Sequence, residues 1–138
     1  MSILVCGGAG YIGAHVVRLL RQRGDRVVVV DDLSTSNAAR IGDTPLVRLD
    51  VATDEARSVL SNLMVDEDVT AVIHFSARKQ VGESVARPTW YYQQNIGGMA
   101  NVLAAMEDTG VDQMIFSSSA AVYGIPTAEV VTEDMAGH

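Results

Sequence analysis

Seven residues near the start of the chain, Gly7-Gly8-Ala9-Gly10-Tyr11-Ile12-Gly13, have the types and spacing needed to hold an anion. They satisfy G-x-G-x-x-G through Gly8, Gly10 and Gly13, and G-x-x-G-x-x-G through Gly7, Gly10 and Gly13. Glycines so spaced let backbone approach a pyrophosphate, and a helix starting there offers free N–H groups at its positive dipole end. A glycine turn that merely tightens strand–helix packing has the same composition, so the acids downstream matter. Asp31 closes the next apolar run, where a carboxylate hydrogen-bonds an adenosine ribose diol. It would repel a 2′-phosphate and no arginine directly follows it, which favours NAD over NADP. Asp50 closes a third run and would accept from an adenine amino group while Val51 packs the ring. Its plainer role is a turn cap.

A second cluster is Ile115-Phe116-Ser117-Ser118-Ser119-Ala120-Ala121-Val122-Tyr123-Gly124, two apolar residues running into three hydroxyls and a tyrosine. That is the composition of a strand ending at a catalytic edge, or of a plain serine cluster. His15, His74 and His138 lack metal-ligand spacing, so no metal site is expected. Cys6 is the sole cysteine, excludes an intrachain disulfide, and reads as a buried, inert thiol.

The elements that position these groups follow from the apolar pattern. Strands are expected over Ile3–Cys6, Arg26–Val30, Leu46–Leu49, Ala71–Phe75 and Gln113–Ser117. A helix from Tyr11 to Arg23 places Ile12, Val16, Leu19 and Leu20 on one stripe, with Gly24 as its stop. A second, capped by Thr53 or Asp54, buries Val59, Leu60 and Leu63. A long one from Pro88 to Gly110 turns Ile96, Val102, Leu103 and Met106 inward. Strands apolar throughout and separated by helices mean a parallel sheet covered on both faces, a doubly wound α/β domain over residues 1–138.

Composition narrows the function. The chain has 138 residues, 48% hydrophobic and 20% charged, enough for one domain with a sizeable core. Its formal charge of −7 repels phosphate backbones, which argues against a nucleic-acid partner. The longest aliphatic run, Val27 to Val30, is far short of a membrane span, and Met1-Ser2-Ile3 has no basic leader. A cytoplasmic location is expected.

The segments "GGAGYIG", "DDLSTS", "IHFSARKQVGES", "PTWYYQQNIGG" and "FSSSAAVYG" together resemble the UDP-glucose (UDP-galactose) 4-epimerases, extended short-chain dehydrogenase/reductase proteins with a Rossmann-type NAD-binding domain. The resemblance runs from Ile3 to Gly124. It implies that Gly7, Gly10 and Gly13 hold the NAD pyrophosphate with the backbone of Tyr11 and Ile12. Asp31, Asp32, Leu33, Ser34, Thr35 and Ser36 would surround the adenosine ribose, and Asp50 and Val51 the adenine. Phe75, Ser76, Ala77 and Lys79 would line the cofactor, Lys79 also reaching the sugar nucleotide. Asn95 matches a family cofactor contact, whereas Gln94 stands where the family often has a second asparagine. Ser119 matches the serine that bonds the substrate hydroxyl beside the catalytic tyrosine, while Ser117 and Ser118 would satisfy backbone or cofactor groups. The partner implied is a UDP-sugar, and the complete enzyme is expected to be a homodimer, with the helix carrying Trp90-Tyr91-Tyr92 at its interface.

The chemistry implied is reversible oxidation: a tyrosinate takes the 4-hydroxyl proton while hydride leaves for nicotinamide, the keto sugar turns, and hydride returns to the other face. A free tyrosine titrates at about 10, so a lysine ammonium four residues on is needed to lower it. The only lysine, Lys79, has Phe75 four residues before it; Tyr11, Tyr91, Tyr92 and Tyr123 are followed at that distance by His15, Asn95, Ile96 and Thr127. The chain is therefore expected to be the N-terminal, NAD-binding part of an epimerase, ending before the last strands and the substrate domain, and inactive by itself. The alternatives are a stand-alone NAD-binding module without catalysis, and a nucleotide-sugar 4,6-dehydratase or a reductase of the same superfamily. The dehydratase is disfavoured because Ala120 and Ala121 occupy the places of its Asp-Glu pair.

Overall fold

The computed structural model describes residues 1–125 and 129–135; Thr127 and His138, both weighed above, lie outside them. Five parallel strands form one sheet: β1 (Ser2–Cys6), β2 (Val27–Asp31), β3 (Leu46–Arg48), β4 (Val69–His74) and β5 (Gln113–Phe116). Their order is β3-β2-β1-β4-β5, so the chain reverses direction across the sheet between β1 and β4. Ligands of open parallel sheets bind at the carboxyl edge beside such a switch. The helices are α1 (Tyr11–Arg23), α2 (Ala56–Asp66), the short α3 (Val81–Ala86) and α4 (Pro88–Tyr92), and α5 (Gly98–Thr109).

Alternation along the strands splits the core in two. Leu4, Cys6, Val28, Val30 and Val72 point to the side of α2 and α5, where Leu60, Met64, Val102 and Met106 close over them. Val5, Val27, Val29 and Ile73 point the other way, onto Ala14 and Val17 of α1 and onto Ile41. That second face is only partly covered: Ile115 of β5, in register with Ile73, is 63% exposed. The expectation of a sheet covered on both faces therefore holds around β1 and β2 and fails at β5.

Three helix faces differ from the periodic reading. In α1 the buried residues are Gly13, Ala14 and Val17; Val16 and Leu20 are half-buried, and Ile12 and Leu19 face out. The helix lies so close to the sheet that its smallest residues make the contact, and the larger ones flank it. At the start of α2 neither Thr53 nor Asp54 caps. The Thr53 hydroxyl donates to the Asp50 carbonyl (3.0 Å), and the helix buries Ala56, Leu60 and Met64. The long helix expected from Pro88 to Gly110 is broken by a π turn over Gln93–Gly97. The extra residue in that turn rotates the faces on either side of it. Tyr91, Gly98, Val102, Ala105 and Met106 are buried, while Ile96 and Leu103 are 60% and 48% exposed. Gly24 and Gly110, both left-handed, end α1 and α5 as expected.

Two expected outcomes check this core. Leu60, fully buried under the sheet, should cost about 2–5 kcal/mol of stability when replaced by alanine, read by urea unfolding; a loss under about 1 kcal/mol would contradict its placement. Burial, with the Asp31 charge behind it, pushes the Cys6 thiol up to about 12. Iodoacetamide at pH 8 should therefore spare Cys6 in the folded protein and label it in urea, since the thiolate is the nucleophile. Equal rates in both would show the thiol is not enclosed.

Candidate functional site

At the carboxyl end of β1 the backbone is packed to a limit that only glycine meets. A Cβ on Gly13 would lie 2.3 Å from the Gly7 carbonyl oxygen, and one on Gly8 would lie 2.8 Å from a Val29 methyl. Gly7 adopts φ +76°, and a Cβ there would meet the Ser76 nitrogen at 2.7 Å. Gly10 precedes α1 with no side-chain cap, and the first helical bond runs from the Ala14 N–H to the Gly10 carbonyl (3.0 Å). The N–H groups of Tyr11, Ile12 and Gly13 thus have no intrahelical acceptor. Both larger side chains here point outward, Tyr11 being 72% and Ile12 53% exposed. What remains is a bare backbone cradle at a positive helix end, shaped for a phosphate group.

Asp31 is the buried last residue of β2. Its carboxylate accepts from the Ala9 N–H (3.0 Å), tying the glycine loop to β2, and from the Leu33 N–H (2.9 Å) and the Ser36 hydroxyl (2.5 Å). Asp32 accepts from the N–H and hydroxyl of Ser34 (2.9 and 2.7 Å). Directly after them Leu33 sits at φ +58°, a left-handed conformation costing a leucine about 1–2 kcal/mol. The two preceding carboxylates, accepting from the N–H groups of Leu33 and Ser34, hold it there. Thr35 is exposed.

Arg78, within the Phe75–Lys79 stretch expected to line the cofactor but given no role of its own there, organises the other side. Its guanidinium donates to the Asp32 carboxylate and the Ser34 hydroxyl, its Nε donates to Gln94 Oε1 (3.0 Å), and its centre lies 5.3 Å from the Trp90 ring. Asp32 is pulled opposite ways. Partial burial raises its pKa, but the Ser34 bonds and the Arg78 charge outweigh that, leaving it below the ordinary carboxylate value. Gln94, doubted as a cofactor contact, instead links loops: its amide donates to Asp50 (3.0 Å), whose other oxygen accepts from the Ala52 N–H (2.9 Å). Asn95 is likewise engaged, accepting from the Arg78 N–H (2.7 Å) and donating to the Arg78 carbonyl (2.9 Å). No local pattern signals these contacts, because Arg78 meets Asp32 across 46 residues.

The remaining predicted residues are placed as follows. Val51 is buried in the core cluster that includes Leu60 and Val102, and Asn101 donates to its carbonyl (2.9 Å). Phe75 is half-buried; Ser76 lies against Gly7; Ala77 and Lys79 are exposed, and Lys79 has no ion-pair partner among the described residues. Ser119 is exposed beyond β5, its hydroxyl accepting from the Ala121 N–H (3.1 Å) at the start of a 3-10 turn over Ala120–Tyr123. Tyr91 is no base: burial first, then Glu83, raises its phenol pKa, the direction opposite to a tyrosinate. Trp90 and Tyr91 pack edge to face, while Tyr92 is 67% exposed.

Comparison with known proteins gives the same picture. The model of the NAD dependent epimerase/dehydratase family matches residues 3–137. A UDP-glucose 4-epimerase of Lactobacillus helveticus is 43% identical over 134 residues, covering 97% of this chain and 40% of the relative. A UDP-glucose 4-epimerase of Klebsiella pneumoniae is 42% identical, covering 90% of this chain and 93% of the relative. The crystal structure of a UDP-glucose-4-epimerase from Stenotrophomonas maltophila with bound NAD and formylated UDP-arabinopyranose superposes with a TM-score of 0.85. It is 43% identical, with 96% of this chain and 41% of that one covered. The chain thus spans about two-fifths of the length of the first relatives it matches. With its parallel sheet, glycine cradle and matched family model, the chain belongs to the NAD dependent epimerase/dehydratase family.

Proposed function

We propose that residues 1–138 form the NAD-binding domain of a UDP-glucose 4-epimerase. The observation that carries this reading is the bare N-terminus of α1 packed on Gly7, with Asp31 tied to the same loop through Ala9. The N–H groups of Tyr11, Ile12 and Gly13 would hold the pyrophosphate, and Asp31, with Ser36, the adenosine ribose. Phe75 to Lys79 leave β4 against the cradle, where they would line the remainder of the cofactor. Bound NAD supplies a site that accepts hydride from a sugar C4 and returns it.

The chain's own residues would orient the UDP-sugar beside that site. Ser119 has its oxygen occupied by the Ala121 N–H and keeps its own proton free to donate to a sugar hydroxyl. The exposed Lys79 would place a positive charge near a nucleotide phosphate. Neither replaces a tyrosine–lysine pair, so these residues would bind and position without turnover. The exposed Tyr92, Ile96 and Leu103 support the expectation that this helix forms a homodimer interface in the complete enzyme, which would work in the cytoplasm. A dehydratase finds no support, since the methyl groups of Ala120 and Ala121 move no protons.

Titration calorimetry should show NAD binding to the folded polypeptide, and Asp31→Asn should weaken it about tenfold, the scale of one hydrogen bond to a charged group. Undiminished binding by the variant would remove Asp31 from the site. Mixed with UDP-galactose and NAD, the 138-residue polypeptide should release no UDP-glucose; turnover at an ordinary enzyme's rate, of order 10 per second, would overturn the claim that it lacks its base.

A further inference from the structure

Arg78 brings a guanidinium from the end of β4 onto the Asp31–Ser36 loop that would carry the adenosine ribose. An arginine beside that ribose is the usual means of accommodating a 2′-phosphate. Here three of its five N–H groups are committed, to Asp32, Ser34 and Gln94, and its side chain is only 17% exposed. Arg48 also reaches the loop, but only the Asp32 carbonyl, at 3.4 Å, and from an exposed position.

Resting on the NAD-binding reading above, we infer that Asp32 is a specificity residue: by holding the Arg78 guanidinium it withholds from a 2′-phosphate the cation that would otherwise receive it. Asp31 repels that phosphate directly, and Asp32 removes its nearest counter-charge. The preference for NAD then belongs to the Asp31–Asp32–Arg78 group, not to Asp31 alone. The pair is more than a surface ion bridge, because Ser34 and Gln94 fix the planar fork in one orientation. Removing the carboxylate while keeping its shape frees a guanidinium already in place.

The test measures Kd for NAD and for NADP by calorimetry on the natural sequence, Asp32→Asn, Arg78→Leu and the double variant, each checked for folding by thermal melt. Asp32→Asn should shift the NADP-to-NAD ratio of Kd values about tenfold toward NADP, and adding Arg78→Leu should cancel the shift. An unchanged ratio in folded Asp32→Asn overturns the inference. So does a gain that survives Arg78→Leu, which would assign it to Arg48 or to the lost charge alone. If Asp32→Asn fails to fold, Asp32→Ser takes its place under the same criteria. Failure of the natural sequence to bind NAD would overturn the cofactor reading itself; normal binding with an unmoved ratio overturns only the role of Asp32.

Discussion

The contact between Gly13 and the Gly7 carbonyl is the constraint on which the remaining architecture depends. Without a Cβ at Gly13, which would stand 2.3 Å from that oxygen, α1 can begin almost on top of β1. Its open N-terminus therefore lies beside the gap where the strand order reverses between β1 and β4. The segment leaving β4 then has one course, against Gly7, whose own missing side chain is what admits Ser76. The same closeness explains why α1 buries Gly13, Ala14 and Val17 and turns Leu19 outward.

Beyond the cradle the problem is electrostatic. The chain carries −7 overall, and Asp31 and Asp32 stand side by side where a diphosphate cofactor would lie. The two are handled differently. Among the described residues Asp31 keeps its charge amid hydrogen-bond donors, from Ala9, Leu33 and Ser36, whereas Asp32 is also met by a cation, Arg78. Together they hold Leu33 in a conformation it would otherwise avoid, which shapes the loop before any ligand arrives. Preorganisation of this kind lowers the ordering cost of binding.

The π turn over Gln93–Gly97 completes the arrangement. It presents Gln94 and Asn95 together to the loops after β3 and β4. Gln94 bridges Arg78 and Asp50, and Asn95 grips the Arg78 backbone. The helix from Pro88 thus acts as a splint across the carboxyl edge of the sheet. Gly98 continues it, since a Cβ there would press on a Val51 methyl at 2.9 Å.

The parallel order of apolar strands, the glycine spacing, the acid closing β2 and the stops at Gly24 and Gly110 were legible in the sequence. Each is a short-range consequence of side-chain period or backbone freedom, expressed within a few residues. What the sequence concealed were orientations and long-range partners. Val51 packs into the core because α5 crosses its turn, Asn95 is bound to backbone because the π turn faces it inward, and Arg78 meets Asp32 from 46 residues away. One extra residue in a helical turn rotates every later side chain. A charge pair depends on two loops being brought together by strands that are distant in the chain. Period and composition carry neither fact, so the chain determined which edge could bind a dinucleotide, and only the assembled sheet decided which side chains stand there and what holds them.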